Sequence, residues 1–224
     1  MYQPKILNQS GEVVGQYDYS TSKVVCVGRN YAAHAKELNN SIPKTPLLFI
    51  KSSNTLVDLA DQITIPKNQG ECHHELEIAI LIGKQLTDAN EQECVSAIIG
   101  VGLALDLTLR ELQSQLKSKG QPWEKAKSFD CACPVSGFVS VDNFTELSNI
   151  DFKLTKNHHC AQIGHSRDML FDIPNLIAYI TTNFTLYPGD IILTGTPEGV
   201  ASLNSGDKIT LELNGLLIAE ATIS

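Results

Sequence analysis

The stretch "ECHHELEIAILIG", Glu71–Gly83, sets three acids and two histidines in front of an apolar run that reads as a buried strand. Taken as a strand over 73–82, its side chains alternate faces. His74, Leu76, Ile78, Ile80 and Ile82 share one face, while His73, Glu75, Glu77 and Ala79 share the other. A strand this apolar needs cover, which predicts a fold built around a sheet. The two glutamates are the anomaly. Carboxylates about 4 Å apart repel by roughly 4 kcal/mol at an effective dielectric near 20. A shared proton or an intervening cation would relieve that.

Asp106 is placed to join them, because it ends a second apolar segment, "IIGVGLALD". A carboxylate at the end of such a run is costly to desolvate without a partner. Three oxygen donors without cysteine suit a hard cation, Mg²⁺ or Mn²⁺. Such a set leaves coordination positions open for a chelating substrate and water. The pattern Glu-x-Glu also occurs on solvated strand faces, and Glu71 and His73 share its parity, so alternation alone does not select Glu75 and Glu77.

Outward from this stretch, strands outnumber helices. Residues 1–20 read as a hairpin arm: "PKILN", a Ser-Gly turn, then "VVGQYDY". "KVVCVG" (23–28) is a buried strand, "NYAAHAKEL" (30–38) helical, and "LLFIK" (47–51) a short strand before a polar loop to Pro66. "DANEQECVSAIIG" predicts a helix capped by Asp88, and "TLRE" predicts a capping box from Thr108 to Glu111 at the head of "LRELQSQLKSK". The second half holds "CPVSGFVSV", "FKLTKNHHCAQIG", "GDIILTG" and "KITLELNGLLIAEATI", the last with Asn214-Gly215 as a hairpin turn. "IPNLIAYITTNF" is its helix. The helices do not alternate regularly with the strands, so the class expected is α+β with a large mixed sheet system.

The chain has 224 residues, with 17 basic and 25 acidic side chains and a net charge of −8. No basic stripe is visible, which argues against nucleic acid and anionic membranes as partners. The start has no basic-then-apolar pattern of a signal peptide. The longest apolar stretch, "IIGVGLALDL", is about half the roughly 20 residues of a membrane span. The six cysteines show no C-x-x-C pair, and several sit in apolar runs, as reduced thiols do. A reducing cytoplasm is the expected compartment.

Seven segments in order, "VGRNYAAHAKEL", "PLLFIKSSN", "HHELEIAILIG", "LALDLTLRELQ", "GQPWEKAKSFD", "CPVSGF" and "PGDIILTGTPEGV", resemble the fumarylacetoacetate hydrolase family in its small branch of acylpyruvate hydrolases and oxaloacetate decarboxylases. They fall within residues 24–200. The resemblance implies a mixed β-sandwich roll with a few short helices over 21–224, with the 1–20 arm packed on it. It implies Glu75, Glu77 and Asp106 as ligands of Mg²⁺ or Mn²⁺. It also nominates His34 and Glu37 as a catalytic dyad on a mobile segment. At i and i+3 the two are neighbours, so Glu37 can orient His34 as a base. Lys127 matches an active-site lysine. Arg110, Gln113 and Thr196 resemble substrate-binding positions, and Arg29, Tyr31 and Lys51 fall in matching motifs.

The implied substrates are small 2-keto acids carrying a second carbonyl or carboxylate, and the implied assembly is a homodimer. Acylpyruvate hydrolysis is the main expectation, because the dyad suits water activation. Oxaloacetate decarboxylation and keto–enol tautomerisation are alternatives through the same enolate. A non-catalytic metal-binding homologue, or a structural protein with solvated acids, are readings from other classes. "GVGLA" (100–104) lacks a dinucleotide loop's third glycine, and "HHC" (158–160) lacks a fourth zinc ligand. Cys131 and Cys133 read as packing, and Cys72, His73 and His74 receive no role.

Overall fold

The computed structural model describes residues 2–224, leaving aside the side chains at positions 61 and 217. The apolar segments Leu76–Ile82 and Ile98–Leu105 pair antiparallel in the middle of a ten-stranded sheet. Both are covered on both faces, which explains their nearly continuous apolar runs. Leu76, Ile78, Ile80 and Ile82 feed the larger core cluster, and Ala79 and Leu81 the smaller. Each such fully buried Leu or Ile contributes about 1.5–3 kcal/mol relative to exposure.

The sheet runs in the order Val13–Gln16, Lys5–Leu7, Phe138–Ser140, Ile98–Leu105, Leu76–Ile82, Ile191–Leu193, Lys23–Gly28, Leu47–Ser52. Cys133–Val135 and Leu56–Asp58 extend it beside Ile98–Leu105. A five-stranded sheet, His159–His165, Asp151–Lys156, Lys208–Leu213, Leu216–Ile223 and Asp61–Ile63, adds Phe152, Leu154, Ile209 and Leu211 to the larger cluster. The helices Glu91–Ala97 and Ile173–Thr181 bury Ala97, Leu176 and Ile177 in that cluster as well. Mixed sheets with short helices are the expected α+β class. The N-terminal hairpin forms, and Lys5–Leu7 also pairs parallel with Phe138–Ser140.

Several local expectations are corrected. The 73–82 strand is two, Cys72–His74 and Leu76–Ile82, because the chain changes sheets at Glu75. Cys72–His74 instead pairs with Thr108–Leu109 and Ala201–Ser202 in a small third sheet. Asn90, not Asp88, caps Glu91–Ala97, in a capping box with Glu93. Asp88 takes a left-handed φ of 48° before the cap. Thr108 caps nothing: it lies in a strand and donates its hydroxyl to Asp106 O, and Arg110–Ser118 starts without a side-chain cap. The loop to Pro66 contains two three-residue strands, too short for alternation to register. Among the described residues no helix is long and apolar enough to cross a membrane.

Candidate active site

Strand pairing gathers the three acids. Leu76 stands opposite Leu105 and Glu77 opposite Ala104. Continuing that register by one rung sets Glu75 against Asp106, whose N–H donates to Glu75 O at 2.8 Å. The carboxylates lie within 4.8 Å of one another and all three are buried. A third segment arrives beside Leu76–Ile82: Thr194 N–H donates to Ile78 O at 3.1 Å, and Gly195 N–H donates to Glu77 Oε2 at 2.6 Å.

Three cations answer them. Lys127 Nζ donates to Glu75 Oε2 at 2.7 Å and to Asp106 Oδ2 at 2.6 Å. Arg110 donates to Glu75 Oε1 and, at 2.8 Å, to Gln113 Oε1. Lys51 Nζ lies 2.8 Å from Asp106 Oδ1. Burial opposes the charge on Glu75, yet Lys127, Arg110 and His34 outweigh it and hold that carboxyl well below its ordinary range. Burial also opposes the charge on Lys127, and Asp106 and Glu75 more than restore it. Glu77 goes the other way: burial, then Asp106 and Glu75, push its carboxyl well above the usual value. Glu77 is therefore under-compensated, and buried Asp106 Oδ1 faces Lys51 without hydrogen-bond geometry. Three hard oxygens, those of Glu77 without an ion pair among the described residues, fit a divalent cation.

The acids open onto a cleft that His34, Arg29, Arg110, Gln113, Lys127 and Thr196 also line. His34 belongs to the short helix Ala32–Glu37, with its Nδ1 3.0 Å from Glu37 Oε2. Glu37 Oε1 in turn accepts from Gly199 N–H at 3.0 Å. A carboxylate only accepts, so Nδ1 carries the proton and Nε2 is the basic nitrogen. Phe49 and Trp123, with ring centroids 5.9 Å apart, form the apolar wall, and Lys127 Nζ sits 5.1 Å from the Phe49 centroid.

The FAA hydrolase C-terminal family matches residues 23–224. The chain belongs to the fumarylacetoacetate hydrolase family. It is 49% identical over 199 residues to the oxaloacetate tautomerase YcgM of Escherichia coli (strain K12), covering 88% of this chain and 91% of that protein. It is 42% identical over 195 residues to a mitochondrial oxaloacetate decarboxylase of Dictyostelium discoideum, covering 87% and 89%. The crystal structure of fumarylpyruvate hydrolase from Pseudomonas aeruginosa, in complex with Mn²⁺ and pyruvate, has a TM-score of 0.87 at 26% identity, covering 100% of this chain and 97% of that one. Membership makes this chain a metal-dependent family enzyme, with a Glu-Glu-Asp cluster able to hold the metal.

Two expected substrate-binding side chains do not reach the cleft. Lys51 is fully buried behind Asp106, its ammonium donating to Leu107 O at 3.2 Å, Ala132 O at 2.9 Å and Lys127 O. Tyr31 packs edge-on against Phe152, with centroids 6.3 Å apart, and its buried hydroxyl has no hydrogen-bond partner among the described residues. Sequence reasoning missed Gln162, whose amide has four contacts. Oε1 meets His74 Nδ1 at 2.8 Å and Leu76 N–H at 3.0 Å, and Nε2 donates to Thr196 Oγ1 at 2.8 Å and Pro197 O at 3.0 Å. It also missed Lys117 at the cleft's rim. An inward-facing glutamine on a hairpin was the only available signal for the first, and a helix-end lysine gives none.

Proposed function

We propose that this chain is an oxaloacetate keto–enol tautomerase working with Mg²⁺ or Mn²⁺. The observation that carries the reading is an acid and a base sharing one cleft: the Lys127 ammonium beside Glu75 and Asp106, and the His34–Glu37 dyad. Tautomerisation needs only that pair, since one proton leaves C3 and another reaches the C2 oxygen. The names of relatives at 49% and 42% identity favour oxaloacetate over the acylpyruvates first expected, because the fumarylpyruvate hydrolase is only 26% identical.

Glu75, Glu77 and Asp106 would hold the cation, which when bound supplies Lewis acidity to a chelating 2-keto acid. His34 Nε2 takes the C3 proton, with Glu37 steadying the imidazolium. Lys127 faces the C2 oxygen, offsets the negative charge that develops there and passes it a proton, which the His34 imidazolium gives back through water so that the cycle closes. Gln113 and Thr196 orient the 1-carboxylate.

Decarboxylation of the same substrate is the second reading, favoured by the Dictyostelium relative. It requires no base at C3. A His34→Ala protein therefore separates the two, and tautomerisation followed by loss of enol absorbance should fall about 10²–10⁴-fold. Mn²⁺ binding by calorimetry should persist. Undiminished tautomerisation by the variant overturns the role given to His34. Faster cleavage of acetylpyruvate than tautomerisation of oxaloacetate by the unaltered protein restores the hydrolase reading.

A further inference from the structure

The inner wall of the cleft is electrically matched, three carboxylates against Lys51, Arg110 and Lys127. The outer wall is not. Arg29 lines the cleft, and among the described residues its guanidinium makes no hydrogen bond or ion pair. Lys117, one helical stretch beyond Arg110, lines it too, and among the described residues its ammonium has one hydrogen bond, at 3.2 Å to the neutral amide oxygen of Asn40. Lys117 is held below its ordinary lysine value by partial burial first, then by the charges of Arg29 and Arg110. Arg29, Arg110 and Lys117 thus share the lining of one cleft. In a chain of net charge −8, Arg29 and Lys117 line the cleft with no acid paired to either among the described residues, a like-charge arrangement that an arriving anion relieves.

The backbone directs Arg29 there. Its φ is 61°, the left-handed region that a long side chain avoids. Its neighbour Asn30 enforces this: fully buried, it donates to Thr194 O at 2.8 Å and Phe171 O at 3.0 Å and accepts from Phe171 N–H at 2.8 Å. Strain of this kind persists only where the surroundings over-determine it.

We propose that Arg29 and Lys117 form an outer anion subsite that binds the distal C4 carboxylate of a 2-keto dicarboxylic acid, and so set the reaction's outcome. This rests on the oxaloacetate reading and adds a specificity to it. In decarboxylation the C3–C4 bond breaks, its electron pair stays on C3 as the enolate, and C4 leaves as uncharged CO₂. Cations on that carboxylate stabilise the ground state more than this transition state. In tautomerisation the C3–H bond breaks, a base takes the proton, and the C4 charge is unchanged throughout. The outer cations therefore hold C4 in place while the proton moves.

The test uses two unreactive probes that differ only by the distal carboxylate, L-malate and L-lactate, titrated by calorimetry into the Mg²⁺-loaded protein. The expected result is at least tenfold tighter binding of malate by the unaltered protein, and a preference reduced to under threefold in Arg29→Gln/Lys117→Gln. Lys117→Gln alone, at an exposed position, should remove part of it and guards against misfolding of the double variant. The double variant should also release more CO₂ per enol consumed. Equal binding of both probes by the unaltered protein, no binding of either, or an undiminished preference in both variants overturns the subsite. Malate preference without turnover of oxaloacetate supports the subsite and overturns the oxaloacetate reading instead.

Discussion

A lysine without solvent contact persists only where oxygen atoms replace its hydration shell, and Lys51 has four of them, Leu107 O, Lys127 O, Ala132 O and Asp106 Oδ1. One ammonium thus ties a candidate metal ligand to the backbone of the residue that carries the active-site ammonium. Lys51→Met keeps the apolar stem and removes the charge, leaving Asp106 with Lys127 as its cation and taking a donor from three carbonyls, of which Ala132 O keeps the Leu107 N–H. Breaking a buried pair in this way costs about 3–5 kcal/mol. Melting temperature should fall by about 6–20 °C at 2–4 °C per kcal/mol. A melt within 2 °C of the unaltered protein would show that the pair carries no such weight. The motif singled out Lys51, but its buried bridging role was illegible for a clear reason: its partners come from residues 107, 127 and 132, and no local pattern encodes them. Glu75, Glu77 and Asp106 were legible as a group because strand parity and strand ends are local, though resemblance was needed to choose Glu75 and Glu77 over Glu71 and His73.

Between the strands Ile191–Leu193 and Ala201–Ser202 runs the segment 194–200, which holds both halves of the candidate site. Gly195 N–H holds Glu77 and Gly199 N–H holds Glu37. Gly199 has φ 95°, and a Cβ there would meet Ala161 O at 2.2 Å, so only glycine fits. Gln162 sets the height of this segment through Thr196 and Pro197. Gln162→Met should raise the KM for oxaloacetate about tenfold, which is about 1.4 kcal/mol, with kcat changed less, because Thr196 is displaced rather than removed. Steady-state kinetics read the split, and an unchanged KM would contradict the positioning role. Elements with long periods or strong turn residues, such as Ile173–Thr181 and the Asn214-Gly215 hairpin, were readable from the sequence. The cap at Asn90 and the uncapped start of Arg110–Ser118 were not, because Asx and Thr residues cluster there and tertiary pairing decides whether and which one caps. Strands of two or three residues, as at Thr108–Leu109, exist only through their partners.

Across the whole molecule the thiols report how tightly the two core clusters close. Cys26, Cys72, Cys94 and Cys133 are buried, Cys131 is half-buried and Cys160 is exposed. Burial pushes Cys72 and Cys94 up to about 11 and Cys133 up to about 12, and raises Cys26 well above its ordinary value. In the unfolded chain these groups ionise near the ordinary thiol value of about 8.5. Above that pH the unfolded state has shed protons that the folded state keeps, so stability is lost as pH rises towards 11–12 and is fully present below about 8.5. The urea midpoint should therefore be level between pH 7 and 8 and decline from about pH 9 upward. A thiol reagent at pH 8 should modify Cys160 quickly and Cys131 more slowly, and reach the other four only when urea unfolds the chain. The variant Cys72→Ala/Cys94→Ala/Cys133→Ala should be less stable at neutral pH but show a shallower alkaline decline. A decline as steep in that variant as in the unaltered protein would assign the alkaline loss to other groups, and prompt labelling of all six thiols would mean that the clusters open far more readily than their packing implies.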